Sequence, residues 1–305
     1  MTVPAQVAAW AREREKARAA RDFAAADGLR ERIRDAGFEV IDGPEGSTLA
    51  PLPGESTPAY RGSHEVPSLL EAPPAFRASV QWVVEGWPQD VRRGIAAFDA
   101  HHPPGALQHV VVDLIGAEWP DAVDLVRMDA KAGWAEARNA GLRRSNGAVV
   151  IVADGSIEPS GDVLTPVESA LADPAVGVTG PFGIVSPDLH HFDQSPGPDV
   201  DAVEAYLMAF PRGPIEQGLR FDPKFRFYRT ADIELSFQVK ARGLRATVTE
   251  VPVTKHEHRM WSSTSEAERD RLSKRNFYRF LDRWRGRTDL LVSGSPPGHR
   301  HDHGS

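Results

Sequence analysis

The residues with the most chemical potential stand at the ends of apolar runs. Val110-Val111-Val112 leads into Asp113, and Val149-Val150-Ile151-Val152-Ala153 leads into Asp154. In an open α/β sheet, ligands bind beyond the carboxyl ends of the strands. A carboxylate there can bond a nucleobase or ribose, or hold a divalent cation on a diphosphate. It can equally start a turn or cap the next helix. Asp232 opens a helical stretch together with Thr230, and either residue suits an N-cap. His256 and His258 fall on one side of Lys255-His256-Glu257-His258 if that segment is extended, as metal ligands or as a surface-loop pair. His299, His301 and His303 sit in a Gly-, Pro- and Ser-rich tail, where metal affinity would be incidental.

These residues need a scaffold, and the apolar pattern supplies one. Strands are expected at Val80–Val84, His109–Asp113, Val123–Met128 and Ala148–Ala153, with helices at Gln89–Ala100 and Trp134–Arg144. Short continuous apolar strands alternating with amphipathic helices indicate an α/β sheet covered on both faces. Val200–Phe210 and Ala246–Val253 alternate more, as strands nearer an edge do. Upstream, Val7, Trp10 and Ala11 form one helical stripe and Phe23, Ala26, Leu29 and Ile33 a second. Asp22 is the expected N-cap and Gly37 the expected C-cap of that second helix. Phe38–Ile41 and Thr48-Leu49 flank a turn at Asp42–Gly46. The expected organisation is a helical hairpin over residues 1–51, a linker with five prolines over 52–77, a main domain over 78–290 and a disordered tail over 291–305.

Composition narrows the classes. With 305 residues, 41% of them hydrophobic, the chain can bury one sizeable core and a smaller appendage. No apolar run is long enough to span a bilayer, and the N-terminus lacks a secretory pattern, so a cytoplasmic location is expected. The chain has no cysteine, which excludes disulfides and thiolate metal sites. A net charge of -7 disfavours nucleic acid as a partner, and the Arg-rich stretch from Arg269 to Arg287 reads as a solvated helix face.

Motif order gives a more specific expectation. Gly133-Trp134-Ala135-Glu136-Ala137-Arg138-Asn139-Ala140-Gly141-Leu142, then Asn146-Gly147, then an apolar strand into Asp154, is followed by Phe221-Asp222-Pro223-Lys224-Phe225 and Ala231-Asp232-Ile233-Glu234-Leu235. Gly243-Leu244-Arg245, a further apolar strand and a His complete the series. Across about 210 residues this resembles the family-2 glycosyltransferases of the GT-A type. The resemblance implies a Rossmann-like mixed β-sheet with helices on both faces, and an inverting transfer of a sugar from a nucleotide-diphosphate sugar donor to an unidentified hydroxyl acceptor. It implies that Val84, Glu85, Gly86 and Trp87 line the nucleotide pocket, that Asp113 meets the nucleobase and that Arg138 reaches the nucleotide. Asp154 would hold a divalent cation, Mn or Mg, or the ribose and diphosphate. Ser156, His256 and His258 are the other candidate metal ligands, and Asp232 is the general base.

The departures bear on activity. Asp154-Gly155-Ser156 replaces a second carboxylate by a hydroxyl, which weakens affinity for a hard cation or makes the metal dispensable. Trp87-Pro88 and Ala231 also differ from the family pattern, so a degenerate module that binds nucleotide or glycan as an adaptor is the alternative. Ordinary structural roles stand beside each assignment: Arg138 as a helix-surface pair with Glu136 or Glu158, Asp232 as a cap, Trp87 as packing. Separately, Ala19–Arg30 and Gly37–Thr48 resemble the short helical segment that ends many cysteinyl-tRNA synthetases. That segment implies a tRNA-facing role, or a borrowed docking or oligomerisation element that would give a homo-oligomer.

Overall fold

The computed structural model describes residues 5–36, 38–43, 46–51 and 59–293. The chain divides into two units, Met1–Pro58 and Ala59–Ser305. In the first, helices α1 (Ala5–Ala19) and α2 (Phe23–Asp35) precede an antiparallel pair, β1 (Phe38–Gly43) and β2 (Gly46–Pro51), in register from Phe38↔Pro51 to Gly43↔Gly46. Asp22 caps α2 by accepting from the Ala25 N–H at 3.1 Å. Ala36 is the C-cap, and Gly37 lies outside the described residues. Val7, Ile33, Phe38 and Val40 form a small core with Trp10, Ala11 and Leu49 against it. Phe23, expected in the apolar stripe, is exposed.

The second unit opens on residues expected in a linker. Tyr60 bridges Met128, Val66 is buried, and Leu69 N–H bonds the Arg143 carbonyl at 2.8 Å. Residues 59–75 therefore belong to the packed body, because Val66 covers a patch of Val110, Val112, Val126 and Ala140. Strand β3 (Phe76–Val84) then leads through α3 (Pro88–His101) to β4 (Leu107–Asp113), β5 (Asp124–Arg127), α4 (Trp134–Arg144) and β6 (Gly147–Ala153). These four strands are parallel. The chain continues through β7 (Ile157–Pro159), α5 (Leu164–Leu171), β8 (Val176–Gly180), β9 (Gly183–Val185) and β10 (Asp193–Ser195) to β11 (Asp199–Val200) and β12 (Ala202–Val203). Next come β13 (Leu207–Pro211), α6 (Arg212–Glu216), α7 (Ala231–Lys240), β14 (Arg245–Val248), β15 (Val253–Lys255), α8 (Arg259–Ser263) and α9 (Glu266–Trp284).

The main sheet has the order β11-β14-β8-β13-β6-β3-β4-β5. Strand β13 runs antiparallel to both β6 and β8, while β14 is parallel to β8. Alternation along β6 sends Val150 and Val152 to one face, with α4, α7 and α9, and Val149, Ile151 and Ala153 to the other, with α3 and α5. This is the α/β architecture with both faces covered that the apolar runs predict. Trp82 of β3 is fully buried under α3, and an added Cβ at Gly94 would come within 2.6 Å of its ring, so the helix lies close only because residue 94 is glycine. Among the described residues, no helix is long and apolar enough to cross a membrane.

Candidate active site

The carboxyl ends of β3 and β6 meet the start of α8 around a cleft lined by Glu85, Gly86, Trp87, Arg138, Asp154, Ser156 and His258. Trp87 stands at φ 47°, a left-handed conformation that turns the chain from β3 into α3 and carries its backbone into the cleft wall. Val84 does not reach the cleft. Strand alternation turns it into the core, fully buried, and Val83 lines the cleft instead.

Arg138 is buried, and its guanidinium donates from Nη1 to the Gln81 carbonyl and from Nη2 to the Ala153 carbonyl, each at 3.0 Å. It thus ties the ends of β3 and β6 together and lies 5.1 Å from the Trp134 ring centre. It pairs with neither Glu136, which accepts from the Ser63 N–H, nor Glu158, which accepts from His256 and forms an ion pair with Arg93. Burial lowers the Arg138 pKa to about 10, against the opposing pull of Asp154 and Glu85, so it remains a cation at neutral pH. Glu85 is raised to about 7, chiefly by burial, with Arg138 opposing and Asp154 assisting.

Asp154 accepts from the Ser156 N–H at 2.8 Å and the Ser156 hydroxyl at 2.5 Å on Oδ1, while Oδ2 lies 3.5 Å from His258 Nε2. Burial pushes this carboxyl upward, yet the bonds from His258 and Ser156 outweigh it and hold the pKa at about 2. Strand β15 ends at Lys255, and His258 lies three residues beyond it, within reach of Asp154. His258 is the N-cap of α8, whereas His256 bonds Glu158 at 2.7 Å beside β7 and is not brought to Asp154. Among the described residues no three His, Cys, Asp or Glu side chains converge as a metal cage. One carboxylate, one imidazole and a hydroxyl do converge, a donor set suited to a cation shared with a ligand's own phosphate oxygens.

Asp113 is not at the cleft. Its carboxylate is shut off from solvent and accepts from the N–H groups of Ile115 and Gly116 at 2.8 and 3.1 Å, from Trp119 Nε1 at 3.0 Å and from Arg127. Four donors leave it no capacity for a nucleobase, and it organises the turn after β4 instead.

A second cavity adjoins the first and holds Asp232 at the start of α7. Thr230, immediately upstream, has φ 72°, and its side chain does not cap the helix. The Asp232 carboxylate accepts from the Ile233 N–H at 2.9 Å and the Ala205 N–H at 3.1 Å. Burial raises its pKa above the ordinary aspartate value, with these bonds and Arg229 opposing. The segment before it is fixed by Asn139, whose side chain donates to the Phe221 carbonyl at 2.8 Å and accepts from the Phe221 N–H at 2.9 Å. The adjacent Arg138-Asn139 thus clamps both the strand ends and the approach to Asp232. The two cavities share Trp134, Asp154, Tyr228 and His258. Tyr228 lies against His258 with ring centroids 4.6 Å apart and planes tilted by 37°. Glu204, Tyr206, Tyr228 and Arg229, all in the second cavity, carry no distinguishing spacing in the sequence.

No family model and no curated protein sequence matches the chain. Among solved structures, GalNAc-T7 with UDP, GalNAc and Mn2+ superposes with a TM-score of 0.54 over 68% of this chain, at 17% identity. The chain spans about half, 48%, of that protein's length. More distant are the mannosyltransferase PcManGT from Pyrobaculum calidifontis with GDP-Man and Mn2+ (TM-score 0.45, 20% identity, 65% of this chain and 62% of that one) and S. aureus TarS 1-349 (0.46, 11%, 68% and 72%). The fold of the second unit is GT-A.

Proposed function

We propose that the second unit is an inverting glycosyltransferase that uses a nucleotide-diphosphate sugar. The observation carrying this reading is the pair of cavities that meet at Asp154 and His258, with a buried guanidinium beneath one and a half-buried carboxylate in the other. A single displacement needs two such halves: one to stabilise a departing diphosphate, and one to take a proton from the attacking hydroxyl.

In this reading Glu85, Gly86, Trp87 and Arg138 bind the nucleotide side of the donor. Arg138 keeps its positive charge near the phosphates because its two bonds to strand-end carbonyls hold it in place before substrate arrives. Asp154, with Ser156 and His258, would hold a divalent cation, which when bound supplies charge to the leaving diphosphate. Asp232 accepts the acceptor's hydroxyl proton as the new bond forms at the anomeric carbon. The bond from that carbon to the phosphate oxygen breaks, and its electron pair leaves on the diphosphate. The raised Asp232 pKa makes it a better base than an ordinary aspartate. The test is nucleotide titration calorimetry with UDP and GDP, then donor turnover in Mn2+ and in EDTA. Failure of both nucleotides to bind in either condition removes this reading.

A further inference from the structure

The second cavity contains a carboxylate the mechanism above does not use. Glu204 lines it, yet its Oε2 is closed off from solvent and has no hydrogen-bond partner among the described residues. A buried acceptor left open is costly, so such a group calls for a donor from a ligand. The backbone places Glu204 beside the reaction centre: its own N–H bonds the Phe182 carbonyl at 2.8 Å, and the next N–H, that of Ala205, bonds Asp232 at 3.1 Å. Two consecutive backbone N–H groups therefore hold Glu204 and Asp232 at the same cavity, of about 220 Å³.

The rest of the cavity indicates the ligand's character. Phe192, Tyr206 and Tyr228 give it aromatic walls, and Ile184 and Ile233 give it aliphatic ones. Asp154 is paired with His258, and the other two negative groups, Glu204 and Asp232, are offset by Arg229 in the cavity and by Lys255, whose Nζ lies 3.4 Å from the Tyr206 ring centre. Both cations act on Glu204, opposing the upward shift that burial and Asp232 produce. With charge already balanced, a cationic ligand gains little, while a neutral one with apolar ring faces and more than one hydroxyl satisfies the walls and the open oxygen together.

We infer that Glu204 is a specificity-determining residue that accepts a hydrogen bond from a second hydroxyl of a neutral vicinal diol, so that the acceptor is a sugar or cyclic polyol whose neighbouring hydroxyl faces Asp232. This rests on the transferase reading of the same site. It adds no covalent step: the neighbouring hydroxyl keeps its proton and donates it in a hydrogen bond to Glu204.

The test uses the full chain and ligand-observed saturation-transfer NMR titrations, with UDP or GDP present and absent. The probes are trans-cyclohexane-1,2-diol, methyl β-D-glucopyranoside, cyclohexanol and trans-2-aminocyclohexanol. The diol should bind about tenfold more tightly than cyclohexanol. That gap should collapse in Glu204→Leu and survive in part in Glu204→Gln, whose amide oxygen still accepts. Equal binding of diol and cyclohexanol, an unchanged gap in Glu204→Leu, tightest binding by the amine, or nucleotide binding without binding of any diol or glycoside would each overturn the inference. If Glu204→Leu does not fold, the wild-type contrast and Glu204→Gln decide. Nucleotide binding in the same samples tests the transferase reading separately, so the two can fail independently.

Discussion

Asp154 Oδ2 and His258 Nε2 face each other at 3.5 Å where the two cavities meet, one from the end of a central strand and the other from the cap of a short helix more than a hundred residues later. Residues from both cavities converge on this pair, so a change at either partner should be felt on both sides.

Asp154→Asn should weaken nucleotide binding and reduce the response to Mn2+, because the amide offers one neutral oxygen where a carboxylate offered two charged ones. Ser156→Asp should raise Mn2+ affinity by adding a second hard oxygen ligand. Calorimetric titration of Mn2+ in the presence of UDP or GDP measures both. Unchanged affinities in the two variants would remove the Asp154 end from the donor site.

Asp232→Asn should lower transfer by about 10² to 10⁴ while leaving nucleotide affinity unchanged. The same change should raise the melting temperature at neutral pH. A carboxyl whose pKa is raised in the native state binds more protons folded than unfolded, so its contribution to stability is present at acid pH and is lost as pH rises through the native value. Melting curves from pH 4 to 8 should therefore diverge between wild type and Asp232→Asn as pH increases. The acid limb of the wild-type rate profile should lie above the ordinary aspartate range.

Arg138→Ala should destabilise the second unit by about 2 to 6 kcal/mol. It removes the donors of two buried carbonyls, Gln81 and Ala153, each costing about 1 to 3 kcal/mol. Urea midpoints give the stability change, and nucleotide titration gives the loss of the cation. A midpoint close to wild type would mean the strand ends are held by other contacts.

A chain beginning at Ala59 should fold and bind nucleotide with the affinity of the full chain. One beginning at Phe76 should be much less stable. The second deletion uncovers Val110, Val112 and Val126, removes Val66, and strips the Leu69 and Ala72 carbonyls from Arg212. Comparison of the two melting temperatures checks the boundary.

Much of the scaffold was legible because buried parallel strands are continuous apolar runs. The expected Ala148–Ala153 and Trp134–Arg144 lie within a residue of β6 and coincide with α4. Individual side chains were less so. Val84 and Asp113 both stand at strand ends, but strand alternation buries one, and four donors from the following turn and β5 consume the other. His256 and His258 parted because the first, just past β15, bonds Glu158 and the second caps α8, a separation that two-residue spacing does not reveal. Residues 59–75 carry prolines and little periodicity, yet Val66 is buried and Tyr60, Leu69 and Ala75 bond the body through their backbone N–H groups, since irregular chain can cover apolar surface wherever its backbone groups find partners. Glu204 had no signal at all: an acidic residue before an apolar strand is commonplace, and only the direction of that strand brings it to the site.

That direction separates the two halves of the reaction chamber in heritable terms. Leu207 pairs with Ala153 because β13 runs against β6, so the chain enters β13 at the edge where β6 ends. The first cavity draws on β3, α3, α4 and β6, encoded before residue 160, and on Tyr228 and the α8 cap, whereas Glu204, Tyr206 and Asp232 of the second are all encoded after residue 180. Under the proposed function, exchange of the stretch from β9 to β12 reaches Ile184 and Phe192 of the second cavity and no lining residue of the first, whereas β13 is held between β6 and β8.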